Sequence, residues 1–213
     1  MIGTLSRLGR DRGGASAAEF ALVLPLLIIF LLGIIDVGRL IWTWNKAEKA
    51  TQMGVRYAVA TEMVPNGLAS YSFVVSGNLS QGDLIPESSF GGATCLLNGG
   101  AVSCSCKTGA TCPGTLVGDS ANALTAFNNI VSRMQRFMPQ ITSSSVQVDY
   151  DYSGLGYAGD PNGPDVSPLV RVSIRPNTLT FRPVLLSLFG GTISLPSFSA
   201  ALTMEDGQGT VSN

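Results

Sequence analysis

From Phe20 to Ile35 the chain runs sixteen residues without a charge. Asp36 and Arg39 follow, three apart and so on one helix face, where they can pair. Leu40, Ile41, Trp42 and Trp44 then resume the apolar character. A span from Phe20 to about Trp42 measures roughly 34 Å at 1.5 Å per residue, enough to cross a hydrocarbon core of about 30 Å. Trp42 and Trp44 are then expected at the far interface, where indole rings are favoured. Pro25 lies inside the run. It removes one backbone donor and crowds the carbonyl of Ala21, which predicts a kink of a kind that membranes tolerate.

Past the span the pattern narrows. Ala47, Ala50, Gly54 and Ala58 form a small-residue stripe at helical spacing, with Lys46, Lys49 and Arg56 on other faces. The helix is expected to continue to about Met63, a total of roughly 70 Å, and to end at Pro65-Asn66-Gly67. A stripe of this kind lets another surface approach closely, either the protein's own sheet or another subunit. Residues 66–118 are rich in Gly, Ser, Thr and Asn. There Phe73-Val74-Val75 and Leu84-Ile85 predict short strands at most.

Periodic order returns at Asp119–Met138. Leu124, Phe127, Ile130 or Val131, Met134 and Phe137 or Met138 recur at helical spacing, Asp119 or Ser120 can cap, and Pro139 stops the helix. The stripe reads as core. Ser145–Tyr152 alternates Val146, Val148, Tyr150 and Tyr152 on one side, and Leu169–Ile174 alternates Val170, Val172 and Ile174. A third strand, Ile193–Met204, is interrupted by Pro196. Pro183–Gly191 reads as a short amphipathic helix closed by glycines. The fold class is therefore α+β: a long N-terminal helix, then a small antiparallel sheet packed with one or two further helices.

Composition removes functions. Charged residues make up 13% and the net charge is -1, with no basic stripe, so nucleic acid is not an expected partner. The chain has no histidine, which excludes Ser-His-Asp and Cys-His mechanisms and His-ligated zinc or iron. The glycine pairs at 91–92, 99–100 and 190–191 lack the Lys-Ser/Thr of a phosphate loop. The residues predict no enzyme and no cofactor. Asp149, Asp151, Asp160 and Asp165 match no calcium-loop spacing and are expected to be solvated caps of turns, leaving no metal site.

Cys95, Cys104, Cys106 and Cys112 fall within eighteen residues. An even, tight cluster points to disulfides and an oxidising compartment. Of the three pairings, one joining Cys104 to Cys106 is disfavoured by geometry. Asn98-Gly99-Gly100 reads as a hairpin turn and favours Cys95–Cys104 with Cys106–Cys112, stapling the loop 95–112.

The first fourteen residues carry Arg7, Arg10 and Arg12 against Asp11. By the positive-inside rule they stay cytoplasmic, and the C-terminal bulk lies outside the inner membrane. A cleaved secretory signal would have a shorter apolar core and an A-x-A cut site. A plain signal anchor explains length and orientation but not Glu19, an acid at the start of the apolar run that is costly without a cation.

The stretch Gly14-Ala15-Ser16-Ala17-Ala18-Glu19-Phe20 resembles the cut site of type IV prepilins. That resemblance implies a prepilin peptidase cutting between Gly14 and Ala15, with Gly13 as an alternative one position too early. It assigns Glu19, five residues past the cut, to the N-terminal amine of a neighbouring subunit. Over residues 12–60, about a quarter of the chain, the sequence resembles the TadE-like proteins of tight-adherence (Flp) pilus systems. The shared features are the arginine-glycine pair, the small residues, Glu-Phe-Ala and a proline-interrupted helix. The implied function is that of a minor pilin or pseudopilin. Its implied partners are the peptidase, other pilin subunits meeting the N-terminal helix, inner-membrane assembly machinery and lipid. The implied organisation is a leader 1–14, a helix 15–64 with its span at 20–42, and an extracytoplasmic domain 65–213. A membrane-tethered adhesin or sensor, with the stapled loop as its contact surface, is the alternative.

Overall fold

The computed structural model describes residues 12–187 and 190–204. Helix α1 spans Arg12–Val59 and continues through Pro25. It ends earlier than the Pro65-Asn66-Gly67 turn. Ala60 N reaches back to Tyr57 O at 3.3 Å, and the Thr61 hydroxyl donates to the same carbonyl at 2.8 Å. The chain then extends so that Met63 and Val64 are buried, and Val64 N donates to the Tyr150 hydroxyl at 3.0 Å. Tertiary packing thus overrides local helix preference. Asn66-Gly67, read as a breaker, instead opens a one-turn helix, α2 (Asn66–Ala69).

Among the described residues five strands form one antiparallel sheet: β1 (Gly92–Asn98), β2 (Ala101–Cys106), β3 (Val146–Asp151), β4 (Leu169–Ile174) and β7 (Phe198–Thr203). Their order is β2-β1-β3-β4-β7, and every neighbouring pair is antiparallel. The β1–β2 hairpin closes with Asn98 opposite Ala101. Its two-residue turn has positive φ at both Gly99 (59°) and Gly100 (88°), the conformation that two-residue hairpins need and that glycine adopts without strain.

Helix α3 (Ser120–Gln135) lies between β2 and β3 in sequence. The Asp119 carboxylate accepts from Ala121 N and Asn122 N and caps it. Its buried face is Ala123, Ala126, Phe127, Ile130, Val131 and Met134, so the stripe expected from spacing is core. The helix stops three residues before Met138, and both Phe137 N and Met138 N turn back to Met134 O.

Two strand expectations are corrected. Phe73-Val74-Val75 forms a turn, with Ser76 N bonded to Ser72 O and Gly77 N to Phe73 O. Leu84 makes only an isolated bridge to Tyr157. The Ile193–Met204 stretch divides around Leu195-Pro196-Ser197, because proline cannot donate to a ladder. Its first part is β6 (Ile193–Ser194), which pairs with β5 (Thr180–Phe181), and its second part is β7. Between β5 and β6 lies α4 (Val184–Ser187).

Contacts divide the chain into two units. One holds α1 up to Thr43 together with Phe181–Ile193, and the other holds Trp44–Thr180 and the chain from Ser194. In the second unit the core gathers the buried faces of β3, β4, α3 and the last turns of α1. Val146, Val148, Tyr150, Val170, Val172 and Ile174 supply the sheet side, all fully buried.

Candidate functional site

The first unit contains the surface with the clearest functional character. Among the described residues one helical stretch, Ser16–Val59, is long and apolar enough to cross a membrane, with mean hydropathy 2.8 and only 6% of its most apolar window buried. Phe20 is 66% exposed and Phe30 67%. Large apolar side chains exposed on all sides of a helix have no stable place in water. Length, composition and exposure together mark this segment as a membrane anchor.

The sequence-predicted residues fall along it as follows. Gly14 and Ala15 lie in the first turn of α1. Arg7, Arg10 and Asp11 lie outside the described residues. Glu19 is exposed one turn further on, beside Phe20. Its carboxylate makes no hydrogen bond or ion pair among the described residues. Pro25 sits within continuous helix.

Asp36 and Arg39 do pair, at 3.4 Å. The Asp36 carboxylate has further partners that the sequence did not reveal. It accepts from Val184 N at 2.6 Å and from Leu185 N at 2.9 Å. These are first-turn donors of α4, which have no partner within that helix. Asp36 is only 8% exposed although Ile34, Ile35 and Val37 around it are open. The Arg39 guanidinium lies 5.5 Å from the centre of the Phe181 ring, within cation–π range. The available signals in sequence were an acid in an apolar run, with Arg39 as its one evident partner, and a charge-free segment after Arg182. Nothing local connects the two.

In the second unit the small-residue stripe has an occupant within the protein. Ala47, Ala50, Gly54 and Ala58 are all buried. A Cβ at Gly54 would lie 2.7 Å from Met134 Cγ and 3.3 Å from Val172 Cγ1, so α3 and β4 approach the helix closely there. Trp44, expected at a lipid interface, donates from Nε1 to Glu48 Oε1 at 2.7 Å. It also stands edge-on to Phe198 with ring centres 4.9 Å apart. Tyr150 is fully buried, and burial pushes its phenol pKa above the ordinary tyrosine value because the charged form would lose its hydration.

Cys95 is bonded to Cys104 and Cys106 to Cys112. The first bridge joins residues directly opposite each other in the β1–β2 ladder, with Cα atoms 4.1 Å apart. The second ties the end of β2 to the loop that follows.

The acids considered for calcium are engaged by protein groups instead, and two of them are not solvated. Asp149 is buried and accepts from the Thr94 hydroxyl at 2.6 Å and from Gln147 Nε2 at 3.0 Å. Asp151 pairs with Lys107, and Arg171 Nη2 lies 3.7 Å from its other oxygen. Asp165, also buried, accepts from Phe73 N and Asp160 N and so ties two loops together. Asp160 accepts from Asn162 N, an ordinary turn cap.

No curated protein and no solved structure matches the chain. Residues 14–56 match the family model of TadE-like proteins. The match begins at Gly14 and ends three residues before the last residue of α1, so it takes in the exposed apolar run and the stripe as far as Gly54. The matched residues make up about a fifth of the chain.

Proposed function

We propose that the protein is a minor pilin or pseudopilin acting in the assembly or structure of a tight-adherence pilus. A prepilin peptidase removes residues 1–14 by cutting between Gly14 and Ala15. The half of α1 up to Thr43 stays in the inner membrane as a single span, and its second half lies on the outer side with the disulfide-bearing sheet unit. The observation that carries this reading is the position of Glu19. It is an exposed acid at the head of an exposed apolar helix, inside the segment that is TadE-like.

A carboxylate in apolar surroundings needs a cation. Cutting after Gly14 creates an amine at Ala15, which makes Glu19 the fifth residue of the mature chain, and in a parallel neighbour that amine meets Glu19. Phe20 and the large residues after it then pack against the helices of other subunits. A kink at Pro25 adjusts their crossing. The role is structural rather than catalytic. The cytoplasmic partners are the peptidase and the inner-membrane assembly machinery.

Fibre yield tests the proposal. Cells lacking this chain are complemented with the wild type, Glu19→Gln or Gly14→Ala, and sheared pili are quantified. Wild type is expected to restore pili and both variants to fail, with each variant still present in the membrane fraction. Undiminished pili in cells without the chain contradict the proposal.

A further inference from the structure

We infer that α4 and the Phe181–Pro183 segment before it form a second membrane contact, an interfacial element held against the span by Asp36, whose open side faces the lipid of the outer leaflet. The inference rests on the reading of α1 as a membrane anchor.

Three contacts set the position of this element along α1. Phe181 meets Arg39. The N–H groups of Val184 and Leu185 meet Asp36. Leu185 Cδ1 lies 3.9 Å from where a Cβ of Gly33 would be. The segment therefore descends along α1 from Arg39 toward Gly33, about 9 Å at 1.5 Å per residue. That is the depth range of helices that lie in an interface, roughly 5–10 Å.

The charges agree with this placement. Arg182 and Arg39 stand at the upper end, and from Pro183 to Met204 there is no charged residue. Going down, two apolar side chains are open, Val184 at 38% and Leu186 at 43%, and the hydroxyl of the exposed Ser187 is taken up by Val184 O. They continue the open surface of Ile34, Ile35 and Val37 on α1. Continuity with the anchor's apolar surface is what selects lipid as the occupant.

Asp36 explains how a short helix can enter this zone. An unsatisfied backbone N–H costs several kcal/mol in hydrocarbon. Asp36 supplies acceptors for two of these donors, and they in turn satisfy its charge together with Arg39. Each side makes the other tolerable in an apolar setting. The hydrocarbon boundary then falls near Asp36. A span from Ala17 to Ile35 is roughly 28 Å long, close to a full bilayer core, and Trp44 is left free to pack on Phe198.

Depth-dependent quenching tests this with the full chain in phosphatidylcholine–phosphatidylglycerol vesicles. Leu186→Trp is introduced where Trp42 and Trp44 are both replaced by Phe, and Leu26→Trp in the same background reports the anchor. Lipids brominated near the headgroup are compared with lipids brominated near the chain ends. The Leu186→Trp fluorescence is expected to be quenched about two-fold more by the shallow bromines than by the deep ones, as for a side chain in the interface. Adding Asp36→Ala is expected to at least halve that quenching while the Leu26→Trp signal is unchanged. Quenching at Leu26→Trp without any at Leu186→Trp overturns the inference and leaves the anchor intact. A blue-shifted, unquenched Leu186→Trp also overturns it and assigns the surface to another protein chain. Quenching indifferent to Asp36→Ala removes Asp36 from the account. No quenching at either position overturns the anchor reading itself.

Discussion

The two halves of α1 are one helix built for two surroundings. Up to Thr43 it carries large apolar side chains, most of them exposed. From Trp44 on, Ala47, Ala50, Gly54, Ala58 and their neighbours Val55 and Val59 are buried. Charge separates the halves, since Lys46, Glu48, Lys49 and Arg56 fall in the second, on exposed faces. Side-chain size separates their apolar faces. A stripe of small residues lets a backbone come within packing distance of a sheet and another helix, and dense packing then rewards the close fit. Large residues distributed around the helix offer no such stripe and leave lipid as the natural cover. The proposed pilin-like role uses both halves, one to hold a folded domain and one to exchange lipid for other helices.

This contrast can be broken most sharply at Gly54. Gly54→Leu forces a side chain into Met134 and Val172 and should destabilise the protein by about 3 kcal/mol, the upper range for overpacking. Urea unfolding of the full chain in detergent micelles, followed by circular dichroism, would show the lowered midpoint.

Tyr150→Phe comes next. It leaves Val64 N without its acceptor in the core, a loss of about 2 kcal/mol. The same residue gives a pH dependence. The folded phenol pKa is raised above its unfolded value. Its contribution is therefore fully present below about pH 10 and is lost as pH rises beyond that. Wild type should lose stability more steeply than Tyr150→Phe above that pH in the same urea titration.

Asp119→Ala removes the cap of α3 and should cost about 1 kcal/mol, visible as a smaller shift of the same midpoint. The smallest effect belongs to the exposed half. Gly38 has nothing within 4 Å of a Cβ, so Gly38→Leu should change domain stability by less than about 0.5 kcal/mol. Equal midpoints for the two glycine variants would erase the distinction between the halves.

What the sequence made legible was local and periodic. The alternation at Val146, Val148 and Tyr150, the matching run Val170, Val172 and Ile174, the Asn98-Gly99-Gly100 turn and the stripe of α3 each follow from neighbours a few residues apart. The anchor was equally plain, because a long charge-free run has few other uses. What stayed hidden depends on partners far along the chain. Asp36 meets backbone 148 and 149 residues away, and Asp165 meets Phe73 N across 92. The end of α1 at Val59 likewise rests on the Tyr150 hydroxyl receiving Val64 N, a bond made only once β3 is in place. The split of the last strand was half visible in Pro196, yet which part joined the main sheet depended on the register with β4.

The candidate processing site was legible only as a motif. Gly14, Ala15 and Glu19 have no periodic or packing signature, and the roles proposed for them need a peptidase and a neighbouring subunit.

The account turns on whether the helix is exposed by cutting after Gly14. The most direct measurement is the intact mass of the chain purified from cells that express its prepilin peptidase. The account predicts a mature protein beginning at Ala15, with the full-length mass restored in Gly14→Ala. A mass that retains residues 1–14 in the wild type would contradict it.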